Sequence, residues 1–232
     1  MKASKWWIDD PAKLQSAAEQ LRSAAPRLRL VATDGDLVAT GVYELEEAGV
    51  VIDRYAVRLV FGDDPDEPPA VWETDGVIPR VEARHVTEQT GACCVEVYGE
   101  HFARTGDRSL GGFLRTPFRN YFISQSHFVR YGEWPFEERS HGLKGMVEAY
   151  AELAQVHANL EVVARALALM TTTDWKGHWR CPCGGTALRS CCGPRLRQAR
   201  EAMAAGAPAL LLNNLKALVA KTGGDDLPAY TK

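Results

Sequence analysis

Six cysteines are the residues of this chain whose type and spacing could do chemistry, and they fall into two groups. One group is an adjacent pair, Cys93 and Cys94, in the segment TGACCVEVYGEH. In a reducing compartment, cysteines are metal ligands or nucleophiles more often than disulfide partners. The pair and the second group are therefore predicted to have different functions. The second group is a set of four in the segment CPCGGTALRSCC: Cys181, Cys183, Cys191 and Cys192.

The set of four cysteines has the spacing of a closed metal site. Four thiolates can form the tetrahedral shell of a structural zinc site, which leaves no coordination position open. Gly184, Gly185 and Gly193 allow the chain to turn tightly around an ion. The segment resembles the SEC-C zinc motif, with one residue fewer between the ligand pairs and cysteine in place of the commoner final histidine. We therefore expect one structural Zn²⁺ here, although buried or disulfide-linked cysteines are the alternative.

Positive charge surrounds this set without an intervening acidic residue. It could meet a phosphate backbone or an acidic protein surface, or it could be a solvated face. The net charge of −3 gives no general argument for nucleic acid, and only Trp175 and Trp179 could act as stacking platforms beside the arginines. Nucleic-acid binding is therefore an alternative and not the expected function. The arginines are Arg180, Arg189, Arg195, Arg197 and Arg200.

The two adjacent cysteines cannot point the same way if their segment is extended, because successive side chains of a strand face opposite sides. Cys93 would then share one face with Val95 and Val97. We expect Cys93 to pack as a small core residue and Cys94 to be exposed. An exposed cysteine in a loop-lined cleft, with His85 nearby in sequence, is a candidate nucleophile.

The elements that position these residues begin with a helix and a set of strands. Asp10 and Pro11 are typical of a helix start, and Pro26 ends that helix. Strand patterns follow in RLRLVAT, LVATGVYELE, VVIDRYAVRLVF and AVWET. Residues 75–108 have weak periodicity, so we expect a loop there, and loops often carry functional sites.

Helices are predicted for most of the remaining chain. One starts at Pro117, with Thr116 as its cap, and carries an aromatic stripe. A long helix is expected from about 146 to 170. An alanine- and arginine-rich helix follows from Pro194, with a break near Gly206 and Pro208. The chain is therefore predicted to be an α+β protein.

This order of elements resembles the ubiquitin-conjugating enzymes. In that family a proline-rich strand is followed by His-Pro-Asn and then by Gly-x-x-Cys, whose cysteine carries a thioester. The segments EPPAVWET and RHVTEQTGACCVE fit this pattern, with His85 at the histidine, Thr87 where the asparagine would stand, Gly91 at the glycine and Cys94 at the nucleophile. The segment FRNYFISQSHFVRYGEWPFEERSHG further resembles the bacterial branch of the family, which occurs in the antiphage operons called CBASS beside a cGAS-like nucleotidyltransferase.

The resemblance implies a fold, an activity and a partner. It implies a ubiquitin-conjugating-like catalytic domain over residues 1–160, followed over 161–232 by a helical extension with the four-cysteine zinc module. Cys94 would exchange thioesters and pass the acyl group to an amine, His85 would mainly brace the loop, and Thr87 would replace the family's oxyanion donor. The polypeptide that is carried or modified would be the nucleotidyltransferase, through its C-terminal tail.

The loop EWPFEERSHG is too polar to serve as core. We expect its last four polar side chains to lie beside Cys94 and to help hold the incoming tail. These residues are Glu138, Arg139, Ser140 and His141.

Composition limits the remaining possibilities. The chain is 46% hydrophobic and 25% charged, which is typical of a globular protein. No apolar run approaches the ~20 residues of a membrane helix, and the N-terminus lacks the apolar core of a signal peptide, so we expect a soluble cytoplasmic protein with no membrane partner. No G-x-G-x-x-G follows a strand, so an activating step, if one is required, must come from elsewhere.

Two other functions remain open. The fold could have lost catalysis and only bind a partner, or the zinc module could bind nucleic acid. A redox dithiol at the adjacent cysteines is disfavoured because such disulfides are strained.

Overall fold

A computed structural model describes residues 5–33, 35–135, 139–172, 174–223 and residue 227. The chain divides into two compact units. The first comprises Met1–Glu96 and Arg108–Glu137, and the second comprises Val97–Asp107 and Glu138–Lys232. Residue 160, the predicted boundary between the catalytic domain and the helical extension, lies inside the second unit.

The first unit begins with two helices, α1 (Trp6–Asp9) and α2 (Pro11–Ala24). The side chain of Asp10 caps α2 by accepting a hydrogen bond from the backbone N–H of Lys13. Pro11 occupies the first turn, where its missing N–H costs no hydrogen bond. The predicted N-terminal helix is confirmed.

An antiparallel sheet follows, with its four strands in chain order. Its buried face shows the expected alternation, because Leu59 pairs with Ala39 on one side and Val71 on the other, and all three are buried. The predicted four-strand meander is therefore confirmed. The strands are β1 (Leu28–Ala32), β2 (Leu37–Glu47), β3 (Val50–Val60) and β4 (Ala70–Glu73).

The helix predicted to start at Pro117 begins earlier. It starts at α4 (Leu110–Phe113), which the side chain of Ser109 caps, and continues through a wide turn, Leu114–Phe118, into α5 (Arg119–Tyr131). Pro117 lies inside that turn. A wide π-type turn departs from the regular ladder and accommodates a residue that has no N–H. The predicted start is therefore wrong.

The aromatic stripe of this helix packs on the buried face of the sheet. Phe118 and Phe122 are fully buried. The ring centroid of Tyr43 lies 4.7 Å from that of Phe118, and the ring centroid of Tyr55 lies 4.6 Å from that of Phe122. Tilted and edge-on ring pairs of this kind add to the stabilisation from burial alone. An aromatic layer is thus the centre of the first core.

The second unit is helical in its described parts. Its helices surround one core that includes the four-cysteine segment. They are α3 (Glu100–Thr105), α6 (Gly142–Ala154), α7 (Leu160–Met170), α8 (Gly193–Ala202) and α9 (Ala207–Lys221).

Three features of this unit bear on the sequence predictions. The prediction of a single long helix from about 146 to 170 is wrong. The chain forms two helices there, because Gln155 adopts a left-handed conformation (φ 54°) that ends α6, and Asn159 caps α7. The helix α3 lies in the segment predicted as a loop. The break near Gly206 and Pro208 is confirmed by the boundary between α8 and α9.

Within the described residues, no single helix has both the length and the apolar composition needed to cross a membrane. The helices α8 and α9 meet those criteria only when taken together, and they are bent by 101°.

Candidate active site and metal centre

The adjacent cysteines lie between β4 and a preceding loop segment of the first unit. The N–H of Cys93 donates to the carbonyl of Val71 in β4, and the N–H of Cys94 donates to the carbonyl of His85, each at 2.8 Å. Cys93 is partly buried against the core of this unit, whereas Cys94 is exposed. The predicted division between a packed and an exposed cysteine is confirmed.

The predicted alternation beyond this pair is wrong. Cys93 forms an isolated bridge with Val86 and is not part of a longer strand. Val95 packs with Cys93 in the first core, but Val97 packs in the core of the second unit. The pattern ends because the chain passes from one unit to the other after residue 96.

A compact turn over residues 87–92 precedes the cysteines. The N–H of Thr87 donates to the carbonyl of Ala92 at 2.8 Å, and the N–H of Gly91 donates to the carbonyl of Thr87 at 2.7 Å. Gly91 has φ 74°, a conformation that side chains disfavour, and a Cβ there would lie 3.3 Å from the guanidinium of Arg80. Gly91 therefore sets the turn before Cys94.

Two side chains from outside the turn bind its carbonyls. The indole N–H of Trp72 donates to the carbonyl of Thr90 at 3.1 Å, and Nη2 of Arg80 donates to the carbonyl of Gln89 at 2.5 Å. Sequence reasoning missed both residues. Their acceptors are backbone atoms, which every residue carries, so no residue type in the turn signals the contact.

The hydroxyl of Thr87 lies next to the sulfur of Cys94. The distance from Oγ1 to Sγ is 3.6 Å, which is a hydrogen-bonding distance for sulfur. Either group can donate when both are protonated, but only the hydroxyl can donate to a thiolate. The structure thus brings two of the predicted catalytic residues together.

His85 contributes through its backbone and its ring. It has a left-handed backbone conformation, with φ 51° and ψ 43°. Its carbonyl accepts the Cys94 N–H, and its imidazole lies edge-on to Trp134 with ring centroids 5.0 Å apart. Both contacts connect the loop to its surroundings.

Cys93 has a different environment from its neighbour. Burial raises the pKa of the Cys93 thiol, which hydrogen-bonds to Tyr121. Burial likewise raises the pKa of Tyr121, with Cys93 adding to the effect. Both groups therefore stay protonated at neutral pH. Cys93 is a packed thiol, and Cys94 is the member of the pair that a reagent in solution can reach.

The polar loop residues expected to hold an incoming tail belong to the second unit. Glu138 lies outside the described residues. Arg139 pairs with one glutamate in α3 and another in α6, at 3.1 and 2.7 Å. Ser140 donates to Glu148 through its hydroxyl at 2.9 Å, and His141 immediately precedes α6. Their binding of a tail stays a prediction.

The other four cysteines form one cluster in the second unit. Their sulfur atoms all lie within 4.8 Å of one another. Cys183 is 3.3 Å from Cys181 and 3.3 Å from Cys191, measured between sulfurs. In a tetrahedral zinc site the sulfurs are about 3.8 Å apart, because each lies about 2.3 Å from the ion. The cluster therefore has the size and the donor atoms of a metal site.

A short hairpin and the start of α8 bring these cysteines together. Arg180 pairs with Ala187 across the hairpin turn, and α8 begins directly after Cys192. Gly193 is required at that start, because a Cβ there would lie 2.4 Å from the carbonyl oxygen of Leu188. The glycine lets the helix begin beside the last two cysteines.

Electrostatics also favour a cation at this cluster. Burial raises the pKa of the Cys183 thiol, but hydrogen bonding with Cys181 and with the backbone of Gly185 outweighs it and lowers that pKa to about 7. Burial, followed by hydrogen bonds that its thiol donates to neighbouring cysteines, raises the pKa of Cys192. Four thiolates at these distances would repel one another, so deprotonation of all four would require a positive ion between them.

The structure rules out one of the two aromatic platforms proposed for nucleic acid. Trp175 is only 7% exposed. Arg197 and Arg200 lie 5.2 and 5.8 Å from its ring centroid, and Arg200 also donates to the carbonyl of Thr172. A buried ring covered by arginines cannot stack on a base. The other platform, Trp179, is half-buried.

No protein-family model, curated protein or solved structure matches this chain. Its own residues define a mixed α+β protein with an N-terminal helix, a four-stranded antiparallel sheet and C-terminal helices. They also define two candidate sites, which are the exposed Cys94 beside Thr87 and the four-cysteine cluster.

Proposed function

We propose that this chain is a thioester-forming enzyme of the ubiquitin-conjugating type, with Cys94 as its nucleophile. The observation that carries the proposal is the exposed Cys94 thiol, whose sulfur lies 3.6 Å from the Thr87 hydroxyl. The backbone N–H of Cys94 donates to the carbonyl of His85, which holds the residue in place. The N-terminal helix and the antiparallel meander before this loop stand in the order expected of a conjugating fold. The resemblance of RHVTEQTGACCVE to the family motif gives the same assignment.

The proposed reaction has two acyl transfers. In the first, the Cys94 thiolate attacks the carbonyl carbon of an incoming thioester, the bond from that carbon to the donor sulfur breaks, and the donor leaves as a thiolate that takes up a proton. In the second, an amine attacks the new thioester, Cys94 leaves as the thiolate, and the nitrogen loses one proton to solvent. Neither step changes an oxidation state. Thr87 would donate a hydrogen bond to the oxyanion of each step.

The partner proposed for this chemistry is a cGAS-like nucleotidyltransferase of a bacterial antiphage system. Its C-terminal carboxyl group would be the acyl group that Cys94 carries, after activation by another protein. The resemblance of the segment around GEWPFEERSHG to the bacterial branch of the family supports this assignment. We place the reaction in the cytoplasm, where a free thiol persists.

For the four-cysteine cluster we propose Zn²⁺ in a structural role. Thiolate ligands favour zinc over magnesium or calcium. Four protein ligands fill a tetrahedral shell, so no position remains for a substrate. Bound zinc would cross-link the hairpin to the start of α8 and would take no part in the reaction.

The test of acyl transfer uses a synthetic peptide with the C-terminal sequence of the nucleotidyltransferase, activated as a thioester. Incubation with the full chain should add the mass of one acyl group, and excess thiol should remove it. A peptide of scrambled sequence is the matched control for partner recognition. In Cys94→Ser the adduct should form more slowly and should resist excess thiol, because an oxyester replaces the thioester. Cys94→Ala should form no adduct.

Two results would contradict the proposal. A thiol-sensitive adduct that survives Cys94→Ala but disappears in Cys93→Ala would move the nucleophile to the packed cysteine. Binding of the peptide without any adduct, in the wild type and in all variants, would favour a conjugating fold that only holds its partner.

A further inference from the structure

Gln125 is a fully buried amide within an aromatic face. In the described part of the chain, the buried polar residues are Gln125, which is 0% exposed, and Ser126, which is 1% exposed. Gln125 lies in α5 together with Tyr121 and Phe122, which pack in the first core. A buried amide is tolerated where its donor and its acceptor are both bonded. The partners of Gln125 therefore indicate why it is there.

Both ends of the Gln125 amide bind Arg84, in the segment that precedes the turn at residues 87–92. Its Nε2 donates to the carbonyl of Arg84 at 2.7 Å, and its Oε1 accepts from Nε and Nη2 of the Arg84 guanidinium at 3.0 and 2.7 Å. The guanidinium carbon also lies 4.5 Å from the ring centroid of Phe128 and 5.9 Å from that of Trp134. Arg84 is thus held by its backbone and by its side chain at the same time.

Arg84 directly precedes His85, whose left-handed conformation is rare for a residue with a Cβ. Such a conformation persists where the surrounding structure imposes it. The hydroxyl of Tyr121 lies 3.5 and 3.4 Å from the carbonyl oxygens of Arg84 and His85, so its single proton has either carbonyl within reach. The His85 carbonyl in turn accepts the N–H of Cys94. The backbone of Cys94 therefore depends on a strained residue whose neighbour is held by Gln125.

We propose that Gln125 is a positioning residue for Cys94. Through Arg84 it fixes His85, and the His85 carbonyl then fixes the Cys94 backbone so that the sulfur stays beside the Thr87 hydroxyl. This inference rests on the proposed function of Cys94 as a nucleophile. Its structural part, the connection from Gln125 to the Cys94 amide, can be measured without any acyl transfer.

Gln125→Met removes the connection, Arg84→Met removes only its side-chain half because the bond from Gln125 Nε2 to the backbone carbonyl of residue 84 remains, and a third substitution is the control. Gln125→Met keeps a similar shape and volume but loses every hydrogen bond to Arg84. Arg84→Met changes a half-buried loop residue and therefore keeps the test available if the core variant fails to fold. Ser126→Ala is the matched control, because it removes a buried hydrogen bond from the next residue of α5, to Asp53 in β3, away from the loop.

The first measurement is hydrogen exchange at the Cys94 amide. Both methionine variants should lower its protection about tenfold, while the amides of β2 and β3 stay protected. Ser126→Ala should leave the Cys94 amide unchanged. The second measurement is transfer from the peptide thioester. The maximal rate should fall about tenfold in both methionine variants with an unchanged half-saturating peptide concentration, because the sulfur is misplaced and the peptide is not.

Rescue by a conservative change gives a further check. Gln125→Glu retains acceptors for the Arg84 guanidinium but loses the donor to the Arg84 carbonyl, so it should restore part of the lost rate. Equal effects of Gln125→Met and Ser126→Ala on the Cys94 amide and on transfer would overturn the proposal. If the wild type transfers no acyl group but the Cys94 amide still responds to Gln125→Met and Arg84→Met, the positioning role holds and the proposed function fails.

Discussion

The hydroxyl oxygen of Thr87 and the sulfur of Cys94 lie 3.6 Å apart across the turn set by Gly91. In the proposed acyl transfer, this hydroxyl would donate to the carbonyl oxygen that develops negative charge. Threonine has one donor, whereas the asparagine that the resemblance leads us to expect there has two. The Thr87 side chain is therefore the first target for substitution.

We expect Thr87→Val to slow the transfer of the acyl group to an amine by at least about tenfold, because an oxyanion donor is lost. Valine keeps the branched shape of the side chain, and Thr87→Ser, which keeps the hydroxyl, serves as the control. Single-turnover measurements from the loaded enzyme separate this step from loading. Equal rates for the valine and serine variants would show that the hydroxyl has no such role.

The two adjacent cysteines should differ in their effect on stability. Cys93→Ala removes a packed sulfur and should lower the free energy of unfolding by about 1–2 kcal/mol. Cys94→Ala changes an exposed side chain and should alter it by less than about 0.5 kcal/mol. Urea denaturation of both variants checks the difference. A larger loss for Cys94→Ala would mean that its sulfur has a packing role.

Metal content tests the four-cysteine cluster directly. Protein purified under reducing conditions should contain about one zinc ion per chain, and Cys183→Ser should lower that content. Removal of the metal by a chelator should increase hydrogen exchange in the hairpin and α8 because binding energy contributes to their folding. Cys93→Ala and Cys94→Ala are the controls and should retain the ion. Metal-free protein with an unchanged exchange pattern would contradict the assignment.

The ion pairs of Glu152 should make the second unit sensitive to acid. A hydrogen bond from Arg104 holds the pKa of Glu152 below its ordinary value, and Arg139 adds to the effect. Because the folded-state pKa is lower than the unfolded value of about 4.3, the stabilisation is present above that value. It is lost as the pH falls through the folded-state pKa.

Comparison of Glu152→Gln with the wild type checks this pH dependence. The side chain of Glu152 is 55% exposed, so we expect a loss of only about 0.5 kcal/mol at pH 7. The difference in urea midpoint between the two proteins should narrow as the pH is lowered below about 4. It should also shrink in high salt, which screens exposed charges. A difference that is constant with pH would point to packing instead of charge.

Sequence signals predicted helix boundaries correctly where residues within one turn determine them. Asp10 and Pro11 mark the start of α2 because the cap and the proline act within one turn. Pro117 carries the same start signal but lies inside a helix, where tertiary packing and a wide turn override it. The apolar pattern of α6 continues into α7, so periodicity alone could not show that Gln155 reverses the sign of its φ angle.

The same distinction applies to the candidate site. Thr87, Gly91 and Cys94 lie within eight residues, so a motif could predict their approach. The residues that hold them, including Trp72 and Gln125, reach backbone carbonyls from distant parts of the chain. Nothing in the identity of an acceptor residue reveals such a contact. One sequence feature does point to Gln125, because it is a polar residue on the aromatic face of α5.

Residues 97–107 belong to the second unit but lie between the two segments of the first unit, so the ribosome makes them long before most of their own unit. The N–H of Ala204 donates to the carbonyl of Ala103 in α3, about one hundred residues earlier in the chain. At about 5–20 residues per second, translation delivers that partner roughly 5–20 seconds after α3 emerges. The first unit can close in that interval, since its last residues follow soon after 107. Phe102, which packs against the core of the second unit, is therefore synthesised about one hundred residues before α9, the last helix of that core.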